Sequence, residues 1–72
     1  MVYRVTVKSS KLTSSIRVER GMSVDVVTNN ITNPVTTNGG QAVADAFMRI
    51  YGIDIRRAGA LSMAYLDVQR IG

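Results

Sequence analysis

The apolar residues of this chain change their spacing once, and that change constrains what it can fold into. In the stretch Val2 to Lys8, Tyr3, Val5 and Val7 alternate with Arg4, Thr6 and Lys8, the period of a strand with one buried face and one wet face. After position 42 the interval lengthens. Val43, Ala46, Phe47 and Ile50 stand at i, i+3, i+4 and i+7, which is the stripe of an amphipathic helix running to about Tyr51. Strands and a single helix bury such faces against each other, so the pattern predicts an α+β domain in which the helix packs across one face of an antiparallel sheet.

The residues between these segments fill in the expected order. Ser9 to Ser15, with four serines, reads as a polar loop. Alternation then resumes with Ile16 and Val18, then Val24 and Val26, interrupted by Gly21. Two short strands are expected, 15–19 and 22–28, with Arg20-Gly21 at the bend and Gly21 supplying a positive φ in a tight turn or bulge. One long strand kinked at Gly21 is the alternative. Residues 29–38 hold four asparagines and the only proline, a loop composition. At the far end of the helix Gly52 is the expected stop, with Ile53 folding back onto it. Asp45 and Arg49 stand four apart, acid first, the order of a favourable exposed pair. Asp54 is placed to cap a shorter helical turn that Gly59 closes. The segment 62–71 reads as a strand with Ala64, Leu66 and Val68 inward, although Met63 and Ile71 fit this parity less well. The expectation is a single domain over 1–72 with element order β-β-β-α-β: about four strands and one main helix.

Gly39-Gly40-Gln41 poses a separate question, because it is the tripeptide with which translation release factors hydrolyse peptidyl-tRNA. There the motif sits on a flexible exposed loop beside RNA-binding domains or a long basic tail. Here it runs straight into the amphipathic Ala42 to Phe47. The structural reading is preferred: Asn38 as N-cap and Gln41 three residues on form a capping box, and Gly39 and Gly40 are tolerated because a first turn carries little packing.

Other chemistry finds few residues to work with. The chain has no cysteine and no histidine, hence no thiolate nucleophile, no imidazole base and neither of the commonest ligands of a structural zinc. Its carboxylates are Glu19, Asp25, Asp45, Asp54 and Asp67. Asp45 and Asp54 have structural roles in the helix pair and the cap, and the other three fall at solvent-facing strand positions. The Gly-Gly pair lacks the Gly-Lys-Ser/Thr ending of a phosphate loop. We therefore expect no enzyme activity, no cofactor, no metal and no small-molecule substrate. With 46% hydrophobic and 19% charged residues the chain belongs among folded proteins. At 72 residues its core is thin, since a domain of this size buries only about 60% of its unfolded surface, and a second subunit would help. No apolar run approaches the roughly 18 residues of a membrane span, and the amino terminus lacks the apolar core of a signal peptide. A cytoplasmic protein is expected, in which the Asn30-Ile31-Thr32 acceptor triplet has no role.

Nine basic residues against five acidic ones give a net charge of +4, spread along the chain without a block. Two kinds of partner follow. The favoured one is a protein, or a second copy of the chain: Val27, Ile31, Val35 and Met48 are apolar at positions the pattern exposes, and strand 15–19 or 22–28 could pair edge to edge across a two-fold axis. The alternative is nucleic acid, bound by Arg4, Lys8 and Arg17 on the wet face of the first strands and by Arg56 and Arg57 between the helix and the last strand. Against it, Glu19 and Asp67 share that face and ion pairs would account for the arginines. With Tyr3 and Phe47 buried, only Tyr51 and Tyr65 remain for stacking.

The run from Asn38 to Ile71, with its "AFMRIYGID" and "AGAL" and "YLDV", and the earlier "IRVERGMSVDV" resemble a family of short bacterial proteins of unknown function. The resemblance covers most of the chain and implies a small single-domain bacterial protein. It carries no site residues.

Overall fold

The computed structural model describes residues 1–13, 15–29 and 33–72. The elements are β1 (Val2–Val7), β2 (Lys11–Thr13), β3 (Ile16–Val18), β4 (Ser23–Val27), α1 (Gln41–Tyr51) and β5 (Leu66–Arg70). Strands β4, β1 and β5 form one antiparallel sheet in that order, and β2 pairs with β3 in a second sheet. The fold is α+β, as the change of period requires.

The register of the main sheet follows from the alternation in β1. Tyr3 lies opposite Val26 and Val5 opposite Val24 on one side; Val5 lies opposite Val68 and Val7 opposite Leu66 on the other. Their shared face carries Val43, Ala46 and Phe47 of α1, and these three with Val5, Val7, Val24, Val26 and Leu66 of the sheet and Val18, Val35, Ile55, Ala58 and Ala60 make one buried cluster, against which Val68 packs. The opposite face holds Arg4 between Asp25 and Gln69, and Thr6 between Ser23 and Asp67. A one-residue slip would put this polar row into the core, which is why the register is firm.

Gly21 serves in a turn and a bulge together. Its φ is 97°, Met22 N–H donates to Glu19 carbonyl at 3.2 Å, and Gly21 N–H donates to Val7 carbonyl while Val7 N–H donates to Met22 carbonyl. Two residues of one strand thus oppose one of the other, with glycine at the position that needs positive φ. The bend separates β3 from β4 into different sheets, so the single kinked strand does not occur.

Gly52 ends α1 in the left-handed conformation, with its N–H on Met48 carbonyl, and Ile53 N–H returns to Phe47 carbonyl at 3.4 Å. Asp54 Oδ1 accepts from Arg57 N–H at 3.1 Å, and Gly59 closes that turn at φ 72°. Both stops are as the sequence implies.

Several expectations are corrected. The stretch 9–15 is not all loop, because Lys11, Leu12 and Thr13 pair with Val18, Arg17 and Ile16. Ile50 is 53% exposed, although it shares the helical stripe with the buried Val43, Ala46 and Phe47. Val35 is buried rather than exposed. β5 begins only at Leu66, and Ala64, in the preceding turn, is exposed. Asp45 does not pair with Arg49; it accepts from Gln41 Nε2 at 2.7 Å. Ile31 and the Asn30-Ile31-Thr32 triplet lie outside the described residues.

Candidate functional site

The turn ahead of α1 is not a capping box. Asn38, Gly39 and Gly40 are all left-handed, at φ 51°, 63° and 74°, so helix formation starts only at Gln41, and among the described residues no side-chain hydrogen bond caps it. Gln41 N–H donates to Asn38 carbonyl, completing one left-handed turn. Such a turn costs about 1–2 kcal/mol for each residue that carries a Cβ, and asparagine tolerates it best among those. Asn-Gly-Gly is thus the composition that makes it affordable. Gly40 is buried, contrary to the expectation of little packing: an added Cβ would lie 2.9 Å from both Val35 carbonyl and a methyl of Leu61. Arg56 closes the turn from outside, its Nη2 donating to Gly39 carbonyl at 2.9 Å and its Nη1 to Gln41 Oε1 at 3.3 Å.

A second feature is the outer edge of β4. In an antiparallel ladder the backbone groups of alternate residues face the neighbour and the rest face away. Thr28 N–H and carbonyl both meet Met1, on the β1 side. By that alternation Val24 and Val26 also face β1, while Ser23, Asp25 and Val27 face outward. The Tyr51 hydroxyl occupies both backbone groups of Ser23, at 3.0 and 3.1 Å. Asp25 and Val27 have no such cover among the described residues, and Val27 is 77% exposed. Beside this edge runs a groove lined by Asp25, Val26 and Val27 on one wall and by Ala42, Asp45, Ala46 and Arg49 on the other. Those four helix residues fall at i, i+3, i+4 and i+7, so they form a single ridge along α1.

The basic residues singled out from the sequence do not converge. Arg4 lies on the helix-free face of the main sheet, its Nε and Nη2 donating to the two carboxylate oxygens of Asp25 at 3.0 and 3.4 Å. This hydrogen bonding, and then the charge of Asp25, raises the guanidinium pKa above its ordinary value. Arg17 is in the other sheet, 3.5 Å from Glu19. Arg56 clasps the left-handed turn. Lys8, just past β1, uses its backbone N–H on Tyr65 carbonyl. The side chains of Lys8 and Arg57 make no hydrogen bond or ion pair among the described residues. Of the tyrosines proposed for stacking, Tyr51 holds Ser23 and lies 5.8 Å from Phe47, and Lys11 Nζ sits 4.8 Å from the centre of the Tyr65 ring.

The sequence reading missed the Arg56 clasp and the Tyr51 contact. The first had one signal, the run Asn-Gly-Gly, which suits a left-handed turn better than a helix start. The second had a weaker one: Tyr51 follows Phe47 by four positions, on the same side of α1. Among the described residues no cluster of acidic side chains is close enough to hold a metal, and no helix is long and apolar enough to cross a membrane.

The model of a family described as "Family of unknown function (DUF6140)" matches residues 1–68. No curated protein and no solved structure matches the chain.

Proposed function

The chain belongs to that family of unknown function, and we propose that it is a non-catalytic protein-binding module that receives a partner's strand along the outer edge of β4. The observation that carries this reading is the open pair of backbone groups at Asp25 and Val27 beside the groove under α1. An extended segment there would gain main-chain hydrogen bonds from the edge and side-chain contacts from the groove. The strand carries no proline or lysine to blunt it, and its bulge lies before Ser23.

Support for a non-catalytic role comes from the carboxylates. Glu19 meets Arg17, Asp25 meets Arg4, Asp45 meets Gln41 and Asp54 meets the Arg57 N–H. Each of these four holds structure together. The nucleic-acid alternative draws less support, since Arg4, Arg17 and Arg56 already have partners and lie on different elements.

Two measurements test the reading. Peptides selected from a random library for binding to the folded chain should shift the amide resonances of Asp25 and Val27 and lose affinity for Val27→Pro. Titration with duplex and single-stranded oligonucleotides near 0.15 M salt should give no submicromolar binding. Tight binding that weakens steeply with salt, and disappears in Arg56→Ala/Arg57→Ala with the fold intact, would refute the module reading.

A further inference from the structure

Resting on that reading, we propose that the occupant of the β4 edge is a second copy of the chain, paired β4 to β4 across a two-fold axis through Val26. The open groups themselves select this register. Asp25 and Val27 are outward-facing and uncovered among the described residues, whereas Ser23 is already taken by Tyr51. The symmetric antiparallel pair that closes on these two residues alone centres on the residue between them. Asp25 then faces Val27 of the second copy, and the two exchange N–H to carbonyl hydrogen bonds in both directions; symmetry repeats them, for four bonds in all. Centring on Asp25 instead would set two carboxylates directly opposite each other and would call on the occupied Ser23.

The charge pattern of α1 supplies an independent argument for a copy of the same chain over any other strand. The two-fold axis brings the ridges of the two helices together antiparallel on the same side of the joined sheet. Asp45 and Arg49 are one turn apart on that ridge, so an axis passing between them sets each acid against the other copy's base. Neither is paired to the other within the chain: Asp45 accepts from Gln41, and Arg49 makes no side-chain hydrogen bond or ion pair among the described residues. Ala42 and Ala46 on the same ridge are small enough for the helices to approach. The surface is complementary to itself.

Sedimentation equilibrium of the pure protein over a wide concentration range tests this. The expected result is a concentration-dependent rise to twice the chain mass. Val27→Pro should weaken association about tenfold or more, because it removes an outward N–H that the β1 ladder does not use; circular dichroism and cross-strand contacts between β1 and β4 check that the fold survives. Asp45→Arg and Arg49→Asp should each weaken association, and the double exchange should restore it to within about threefold of the wild type, as facing charges in a symmetric pair require. A chain that stays monomeric at millimolar concentration overturns the proposal, as does a dimer indifferent to Val27→Pro or one that the double exchange does not rescue. If the monomer's Asp25 and Val27 amides still respond to selected peptides, self-pairing alone has failed and the binding-module reading stands.

Discussion

The hydroxyl of Tyr51, in the last residue of α1, accepts from the backbone N–H of Ser23 at 3.0 Å and donates to the same residue's carbonyl at 3.1 Å. One side chain thereby supplies what a neighbouring strand would supply at that position. Tyr51→Phe keeps the ring against Phe47 and removes both hydrogen bonds. It should lower stability by about 0.5–1.5 kcal/mol and speed exchange of the Ser23 amide, measured by denaturant unfolding and hydrogen exchange. An unchanged Ser23 protection factor would show that the contact does not persist in solution.

The left-handed turn makes one glycine far more sensitive than another. Gly40→Ala meets a positive φ together with contacts at 2.9 Å to Val35 carbonyl and Leu61, so it should cost roughly 2–4 kcal/mol from the two effects combined. Gly52→Ala has a similar φ but open space around it, and should cost only about 1–2 kcal/mol. Chemical denaturation of the two variants compares them directly, and equal losses would mean that the packing around Gly40 is slack.

Phe47 is fully buried at the centre of the face that α1 turns to the sheet. Phe47→Ala should cost about 3–5 kcal/mol, comparable with the whole stability of a small domain, and leave the chain largely unfolded. A cooperative thermal transition near that of the wild type would be the contrary result.

Arg56 and Arg57 are adjacent in sequence and should behave differently. Arg56→Ala releases the Gly39 carbonyl and Gln41 and should destabilise by up to about 1 kcal/mol, whereas Arg57→Ala should change stability by no more than about 0.5 kcal/mol. Gln41→Ala should resemble Arg56→Ala, since Gln41 bridges Arg56 and Asp45. Thermal melts of the three variants rank them.

What could be read from the letters was whatever repeats at a fixed interval. The inward faces of β1 and β4, and Val43, Ala46 and Phe47 on α1, follow from periodicity alone. Ile50 shares that stripe and is nevertheless exposed, because a stripe says which residues share a face and not how far the opposing surface reaches. β3 was legible in the alternation of Ile16 and Val18, but β2 left no trace of this kind: Leu12, its apolar residue, points to solvent. That hairpin is tied down by distant carbonyls, with Lys11 Nζ on Gly59 and Thr13 Oγ1 on Ala58, and no local pattern encodes such contacts. Asn38 and Gln41 have the spacing of a capping box, but Gly39 and Gly40 are free to turn left, and the buried seat of Gly40 under Leu61 favours that choice. Strand 22–28 was legible as one of two candidate edges, with Val27 apolar on it; that its outer groups at Asp25 and Val27 lie uncovered among the described residues depends on β1 sitting to one side only.

β1 is the middle strand, bonded to β4 on one side and to β5 on the other. During synthesis β1 therefore waits for β5, with α1 and the Asp54 turn made in between. Until residues 66–70 emerge, β1 and β4 form a hairpin with two unsatisfied borders, and Val7 lacks the Leu66 that sits opposite it in the finished sheet. Nascent chains halted between Tyr51 and Leu66 should thus be prone to aggregate or to recruit chaperones, and emergence of residues 66–70 should end that exposure on one side of the sheet only.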